Sequence, residues 1–218
     1  MKFIDTIKKH LKKKGKTDFL SKLDKNSLIL DVGCGNNSPF RTKQILPYCI
    51  YTGLDVGDYD ENKSLHADNF IITNSQNFSN EIAKFSKEFD AVISSHNLEH
   101  CENREMTLAA MLESLKINGK IYLSFPCEQS INFPRRGGTL NYYDDPTHKL
   151  FPPNFNETLI SIKKMGFRII YAEKNYSPII LKLVGWAFEP LSKIRNKKMF
   201  GTWEYYGFES IIIAERTI

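Results

Sequence analysis

The sequence predicts an α/β domain built on a mostly parallel sheet with helices on both faces, and three observations predict it. From residue 28 onward, short apolar runs alternate with stretches of helical periodicity. The first run leads into Gly33-Cys34-Gly35, a turn of the kind found at the carboxyl end of the first strand in such sheets. Two further apolar runs, 167–171 and 210–214, follow the alternating units.

Taken in order, strands are expected at 28–32, 50–54, 70–73, 91–94 and 121–125. Between the last two, Leu108, Met111, Leu112 and Leu115 recur at helical spacing, and Asn118-Gly119 offers residues that end a helix. Pro152-Pro153-Asn154 opens a second helix that places Phe155, Leu159 and Ile162 on one face and stops at Gly166. Strand six then covers 167–171, and strand seven, 210–214, follows an aromatic-rich insertion at 175–207. Within that insertion, 178–191 is apolar enough for an amphipathic helix that forms a lid, meets a second copy or lies on a membrane surface.

The 218 residues suit one domain, spanning 1–218: a basic helical segment at 1–26, a half at 27–126 that carries the glycine turn, and a half at 127–218 that faces the reaction partner. With 41% hydrophobic and 25% charged residues, the chain belongs with folded globular proteins rather than disordered or membrane-spanning ones. Cys34, Cys49, Cys101 and Cys127 are scattered without metal-ligand spacing, so neither a disulfide framework nor a zinc site is expected, and no metal is. No apolar run reaches the roughly 18 residues of a membrane span, and the first sixteen residues lack the apolar centre of a secretory signal. A cytoplasmic location is expected.

The net charge of +5 gathers at the start, where seven lysines fall within sixteen residues. One reading is contact with nucleic acid or an anionic surface. The other is a helix that buries Phe3, Ile4, Ile7 and Leu11 and leaves its lysines solvated.

Glycines in the turn permit positive φ and let a ligand approach the backbone. A dinucleotide fingerprint would place a third glycine at position 38, where Ser38 stands. Asp31, just before the turn, would repel a pyrophosphate but suits an ammonium group. Asp55, twenty residues after Gly35, can accept hydrogen bonds from ribose hydroxyls or can cap a loop.

These motifs resemble those of the class I S-adenosylmethionine-dependent methyltransferases. Leu30-Asp31-Val32-Gly33-Cys34-Gly35 is similar to their first motif, Gly53-Leu54-Asp55-Val56 to their second, the stretch 89–100 to their fourth and 115–126 to their fifth. The resemblance covers roughly residues 28–126 and implies a Rossmann-like seven-stranded sheet with S-adenosyl-L-methionine as cofactor. It implies that Asp31, Gly33, Cys34, Gly35 and Asn36 border the methionine end, that Asp55 and Val56 meet the ribose, and that Ser95 or His96 lies at the rim of the methionine pocket. Asn74-Ser75 stands where the family often has an acidic residue near the adenine.

Methyl transfer is an in-line displacement that depends on alignment, with a base where the acceptor must lose a proton. His96 faces the expected cleft, whereas His100 is a structural residue by the family resemblance. His148, with Asp145 three residues before it, is either a base oriented by a carboxylate or a surface histidine beside a turn. Arg135 and Arg136 suit phosphate or carboxylate, or are a solvated pair. Tyr142, Tyr143, Trp203 and Tyr206 offer flat surfaces for a sugar ring, or core packing.

Ser94-Ser95-His96-Asn97 replaces the Asn/Asp-Pro-Pro-Tyr stretch of nucleobase methylases, which disfavours nucleic acid as partner. Leu98-Glu99-His100, Phe125-Pro126, Asp145-Pro146-Thr147-His148 and the stretch 203–209 look like small bacterial methyltransferases of surface or capsular polysaccharide biosynthesis. That resemblance implies O-methylation of a sugar, a nucleotide-linked sugar or a phosphorylated group such as a phosphoramidate, by a monomer or homodimer. An RNA methyltransferase, a nicotinamide oxidoreductase and a non-catalytic S-adenosylmethionine-binding protein are the alternatives.

Overall fold

The computed structural model describes residues 11–35, 37–57, 66–148 and 150–218. The expected apolar stripe of Phe3, Ile4 and Ile7 lies outside them, as does Asn36.

Seven strands form one sheet: β1 Leu28–Val32, β2 Ile50–Asp55, β3 Asn69–Ile72, β4 Phe89–Ser95, β5 Leu115–Pro126, β6 Phe167–Tyr176 and β7 Glu209–Arg216, in the order β3-β2-β1-β4-β5-β7-β6. Strands β1 to β5 pair in parallel, and β7 runs antiparallel between β5 and β6. Because the connections from β1 and β4 leave in opposite directions, a crevice opens beyond the carboxyl ends of those two strands.

The period-two pattern of the strands explains how both faces fill. In β1, Leu30 and Val32 join one core with Val92, Leu123 and Ile212, while Ile29 joins the other with Ile93, Tyr122 and Ile211. The first core is closed by α3 Phe78–Ala83, α4 Arg104–Glu113 and α5 Phe155–Lys164. The second is closed by Phe19 and Leu20 of α1 Lys16–Leu20 and by the end of α2 Ser38–Ile45 with Leu46.

Two local expectations change. Helix α4, capped by the Asn103 side chain on Met106 N–H, ends at Glu113, and Leu115 is already in β5, opposite Phe89. Asn118, with φ of 65°, therefore marks the register shift between β4 and β5 rather than a helix end. Helix α5 instead follows the sequence pattern, with Asn154 accepting from Glu157 N–H and Gly166 turning left-handed at φ 83°.

The insertion folds as α6 Ile179–Ile194 and α7 Thr202–Tyr206. Leu181 is buried, whereas Ile179, Leu183 and Trp186 are exposed. Among the described residues no helix is long and apolar enough to cross a membrane. Gly185 brings the α6 backbone onto Gly201: a Cβ there would lie against the Gly201 carbonyl and 2.7 Å from the Tyr205 Cβ. Gly185→Ala should therefore lower stability by about 1–3 kcal/mol in urea unfolding, through overpacking that backbone contact cannot relieve.

Candidate active site

The site begins with the turn after β1. Gly33 N–H donates to the Leu54 carbonyl at 2.8 Å, which ties the turn to the end of β2. Gly33 has φ of 72°, and a Cβ on it would stand within 2.6 Å of the Asn97 side chain. Only glycine lets the loops after β1 and β4 meet this closely. Asp55 fixes the next step, accepting from Gly35 N–H and Val56 N–H at 2.7 Å each.

These residues border a cavity of about 630 Å³, together with Asn74, Ser75, His96, Asn97 and His100. Cofactor sites commonly fall between about 300 and 1,000 Å³. The cradle fits an adenosyl-amino acid in two respects. Among the described residues beyond its chain neighbours, nothing lies within 4 Å of where a Gly35 Cβ would point, so the turn is open to a ligand there. In addition, Asp31, fully buried and outside the cavity lining, has an Oδ1 with no hydrogen-bond partner among the described residues, an acceptor suited to an ammonium group. Asn74 accepts from Asn77 N–H, and Ser75 donates to Glu102, so both are held at the cavity wall.

Asp31 is less available than expected. Its Oδ2 accepts from the Lys16 ammonium at 2.9 Å, from the Tyr51 hydroxyl at 2.8 Å and from Ser38. Lys16 neutralises the carboxylate, so the charge argument against a pyrophosphate loses its force. Ser38, at the position of a third glycine, instead holds Asp31 in place. Cys34 also departs from expectation: its side chain packs in the core, and burial raises its thiol pKa. Ser95 turns away from the large cavity to a smaller one of about 140 Å³ that it shares with Lys12, Lys16 and Glu209.

His96 has φ of 51°, and its ring is clamped between Glu99 (Nδ1, 3.2 Å) and Glu209 (Nε2, 2.9 Å). Burial would lower its pKa, but the hydrogen bonds and charges of Glu209 and Glu99 outweigh it and raise the pKa to about 9. Glu209 is correspondingly held down to about 2: burial opposes this, and Lys12 and His96 overcome it. Lys12 also pairs with Glu204 at 2.5 Å. At neutral pH His96 is thus an imidazolium with no lone pair to accept a proton, which corrects its expected role as a base. Lys12 and Lys16 are likewise held against carboxylates while remaining partly exposed.

The expected pairing of Asp145 with His148 does not form. Asp145 accepts from the Thr147 N–H and hydroxyl, closing its own turn, and Thr147 Oγ1 meets His100 Nδ1 at 3.0 Å. His148 Nδ1 lies 2.5 Å from the Tyr142 carbonyl, its ring stacks on Tyr142, and burial lowers its pKa. It lines a separate groove with Tyr143, whereas His100 and Thr147 line the 630 Å³ cavity beside the glycine turn.

Two expected substrate contacts, Arg136 and Tyr142, are buried, and a third, half-buried Tyr206, is tied to the partner of the first. Arg136 is 6% exposed and makes a two-pronged pair with Glu189, at 2.8 Å on each side. Tyr206 donates to the same carboxylate, and Tyr142 is fully buried with its hydroxyl on Leu150 O. Arg135 is exposed and lines none of these cavities. Trp203 borders a cavity of about 350 Å³ with Lys12, Arg41 and Lys198, and the Lys198 ammonium sits 3.7 Å above the indole.

Sequence reading missed Asn97, Glu99, Lys12, Lys16, Lys198 and Glu209. Asn97 and Glu99 lie inside a motif whose main-chain geometry could have flagged them. The others reach the site only through tertiary contacts.

Residues 2–170 match the model of a family described as a methyltransferase domain. The chain is similar to an uncharacterized protein, MJ0906, of Methanocaldococcus jannaschii, at 32% identity over 115 residues, and covers 30% of that protein's length with 50% of its own. Among solved structures it resembles a S-adenosylmethionine-dependent methyltransferase from Archaeoglobus fulgidus, with 19% identity, TM-score 0.57, and 99% of this chain and 94% of that one covered. It also resembles the [4+2]-cyclase SpnF, with 15% identity, TM-score 0.56, and coverage of 92% and 79%. At such identities the likeness is one of fold.

The clamp on His96 gives a direct measurement. Its imidazole signals should titrate near pH 9, and Glu209→Gln should bring that midpoint down by about 1 unit or more in an NMR titration. Because the folded pKa is raised, the clamp's contribution to stability is complete below the ordinary histidine pKa of about 6.5 and disappears as pH rises through the folded value. A midpoint near 6.5 in the unmodified chain would show that the two carboxylates do not hold the ring.

Proposed function

The chain belongs to the methyltransferase-domain family, and from that premise we propose that it uses S-adenosyl-L-methionine to methylate an oxygen of a phosphorylated sugar precursor of a surface polysaccharide, a phosphoramidate or phosphate ester being the favoured group. The cofactor supplies an activated methyl group on a sulfonium. The chain's own residues would provide a seat and an alignment: the glycine turn admits the ligand to the backbone, Asp55 would take the ribose hydroxyls, and Asp31 Oδ1 would accept from the ammonium.

The observation that carries the acceptor reading is the 350 Å³ cavity, lined by Arg41, Trp203 and Lys198, with Lys198 over the indole and Lys12 held on Glu204 at the same wall. Arg41 and Lys198 suit an anionic group, and an indole suits a sugar ring. His96 of the cofactor cavity lies with its ring 5.1 Å from that of Trp203, which lines this one. An acceptor oxygen that is already anionic has no proton to lose. The charged His96 is then a positioning group at the junction, and catalysis comes from alignment. Pairing of Lys12 and Lys16 with carboxylates withdraws two of the basic N-terminal residues from the RNA reading.

The test is methyl-label transfer from S-adenosylmethionine to phosphorylated sugars, neutral sugars and RNA. Label should enter the phosphorylated sugars, and Lys198→Ala should raise their KM about tenfold by loss of a charged contact while leaving S-adenosylhomocysteine affinity unchanged. Turnover should fall as pH rises through about 9, where His96 loses its proton. Label in RNA, or turnover that rises through that range, would contradict the assignment.

A further inference from the structure

We propose that Glu99, His100 and His148 form a binding site for a first-row divalent transition-metal ion at the partition between the cofactor cavity and the neighbouring groove. One ligand atom from each lies within 4.8 Å of the others. Glu99 is 1% exposed; one carboxylate oxygen meets His96, and the other, Oε2, is buried with no hydrogen-bond partner among the described residues. A buried carboxylate oxygen without a donor is costly, and a cation would satisfy it.

The two imidazoles are already set as ligands. The Tyr142 carbonyl can only accept, so His148 carries its proton on Nδ1 and directs a lone pair from Nε2. The Thr147 hydroxyl donates to Asp145 at 2.5 Å, so it accepts from His100 Nδ1–H at 3.0 Å, which leaves Nε2 of His100 with its lone pair as well. Metal-ligating histidines characteristically donate their second nitrogen in this way, which fixes tautomer and ring orientation. Asp145, expected to orient His148, thus acts on His100 through Thr147. Arg104, the nearby cation, spends its donors on the main-chain oxygens of Leu98, Glu99 and Phe151 and on the Tyr142 hydroxyl, not on the Glu99 carboxylate.

Two imidazole nitrogens and one carboxylate oxygen suit Zn²⁺, Mn²⁺ or Fe²⁺ better than Mg²⁺ or Ca²⁺, which prefer all-oxygen shells. Three protein ligands leave coordination positions for a further ligand, as at catalytic metal sites. His100 borders the cofactor cavity and His148 the groove of about 810 Å³ beside it, so a ligand could arrive from either side.

The test uses the full chain, stripped with chelator, titrated with Zn²⁺ by calorimetry and with Co²⁺ by visible absorption. One ion per chain is expected. His148→Ala should abolish uptake or weaken it more than tenfold, and Thr147→Ala, which keeps all three ligands but removes the hydroxyl between Asp145 and His100, should weaken it about tenfold. His66→Ala, outside the cluster, should change nothing. If His148→Ala does not fold by circular dichroism, Thr147→Ala decides. No saturable uptake, or uptake equal in the unmodified chain and Thr147→Ala, would overturn the proposal. S-adenosylhomocysteine binding without metal uptake would remove this site alone, and metal uptake without S-adenosylhomocysteine binding would remove the methyltransferase reading instead.

Discussion

The close approach of Gly33 to Asn97 is the constraint on which the rest of the site depends. It requires a residue without a side chain at the tip of β1 and brings together the loops that follow β1 and β4, the two strands between which the sheet reverses its order. From that contact follow the anchoring of the turn on Leu54, the bond from Gly35 to Asp55, and the shape of the crevice between them.

Charge then organises what the backbone leaves open. Lys16 reaches Asp31, and Lys12 reaches Glu204 and Glu209, so α1 and the residue run before it are fastened to the tips of β1 and β7. His96 joins the same network through Glu209. Such pairs are buried enough that each partner depends on the other's charge, and removing one leaves the other uncompensated. The site is therefore assembled by segments far apart in the chain, with the insertion supplying Trp203 and Lys198 on the opposite wall.

This division explains what could be read from the sequence. The strands, the glycine turn and Asp55 were legible because strand period, positive φ and the spacing from β1 to β2 are local properties. The antiparallel run of β7 between β5 and β6 was not legible, because strand order and direction depend on pairings far apart in the chain. Arg136 and Tyr206 misled because two residues that look suited to ligands both spend their hydrogen bonds on Glu189, a partner 53 positions from the arginine. Asp145 misled because a three-residue spacing allows a turn in which the nearer Thr147 wins the carboxylate. The bond from His96 to Glu209 spans 113 positions and leaves no local trace, so a histidine that looked like a base emerges as a cation. Fold likeness itself does not choose an activity, since a [4+2]-cyclase shares the architecture.

The most direct measurement is a calorimetric titration of the unmodified chain and of Gly33→Ala with S-adenosylhomocysteine, alongside NAD⁺. If the bare turn at the tip of β1 seats the methyl donor, the unmodified chain binds S-adenosylhomocysteine and ignores NAD⁺, and the added methyl group weakens binding by at least about tenfold as it forces Asn97 away. Full affinity in a folded Gly33→Ala chain, or preference for the dinucleotide, would contradict the account.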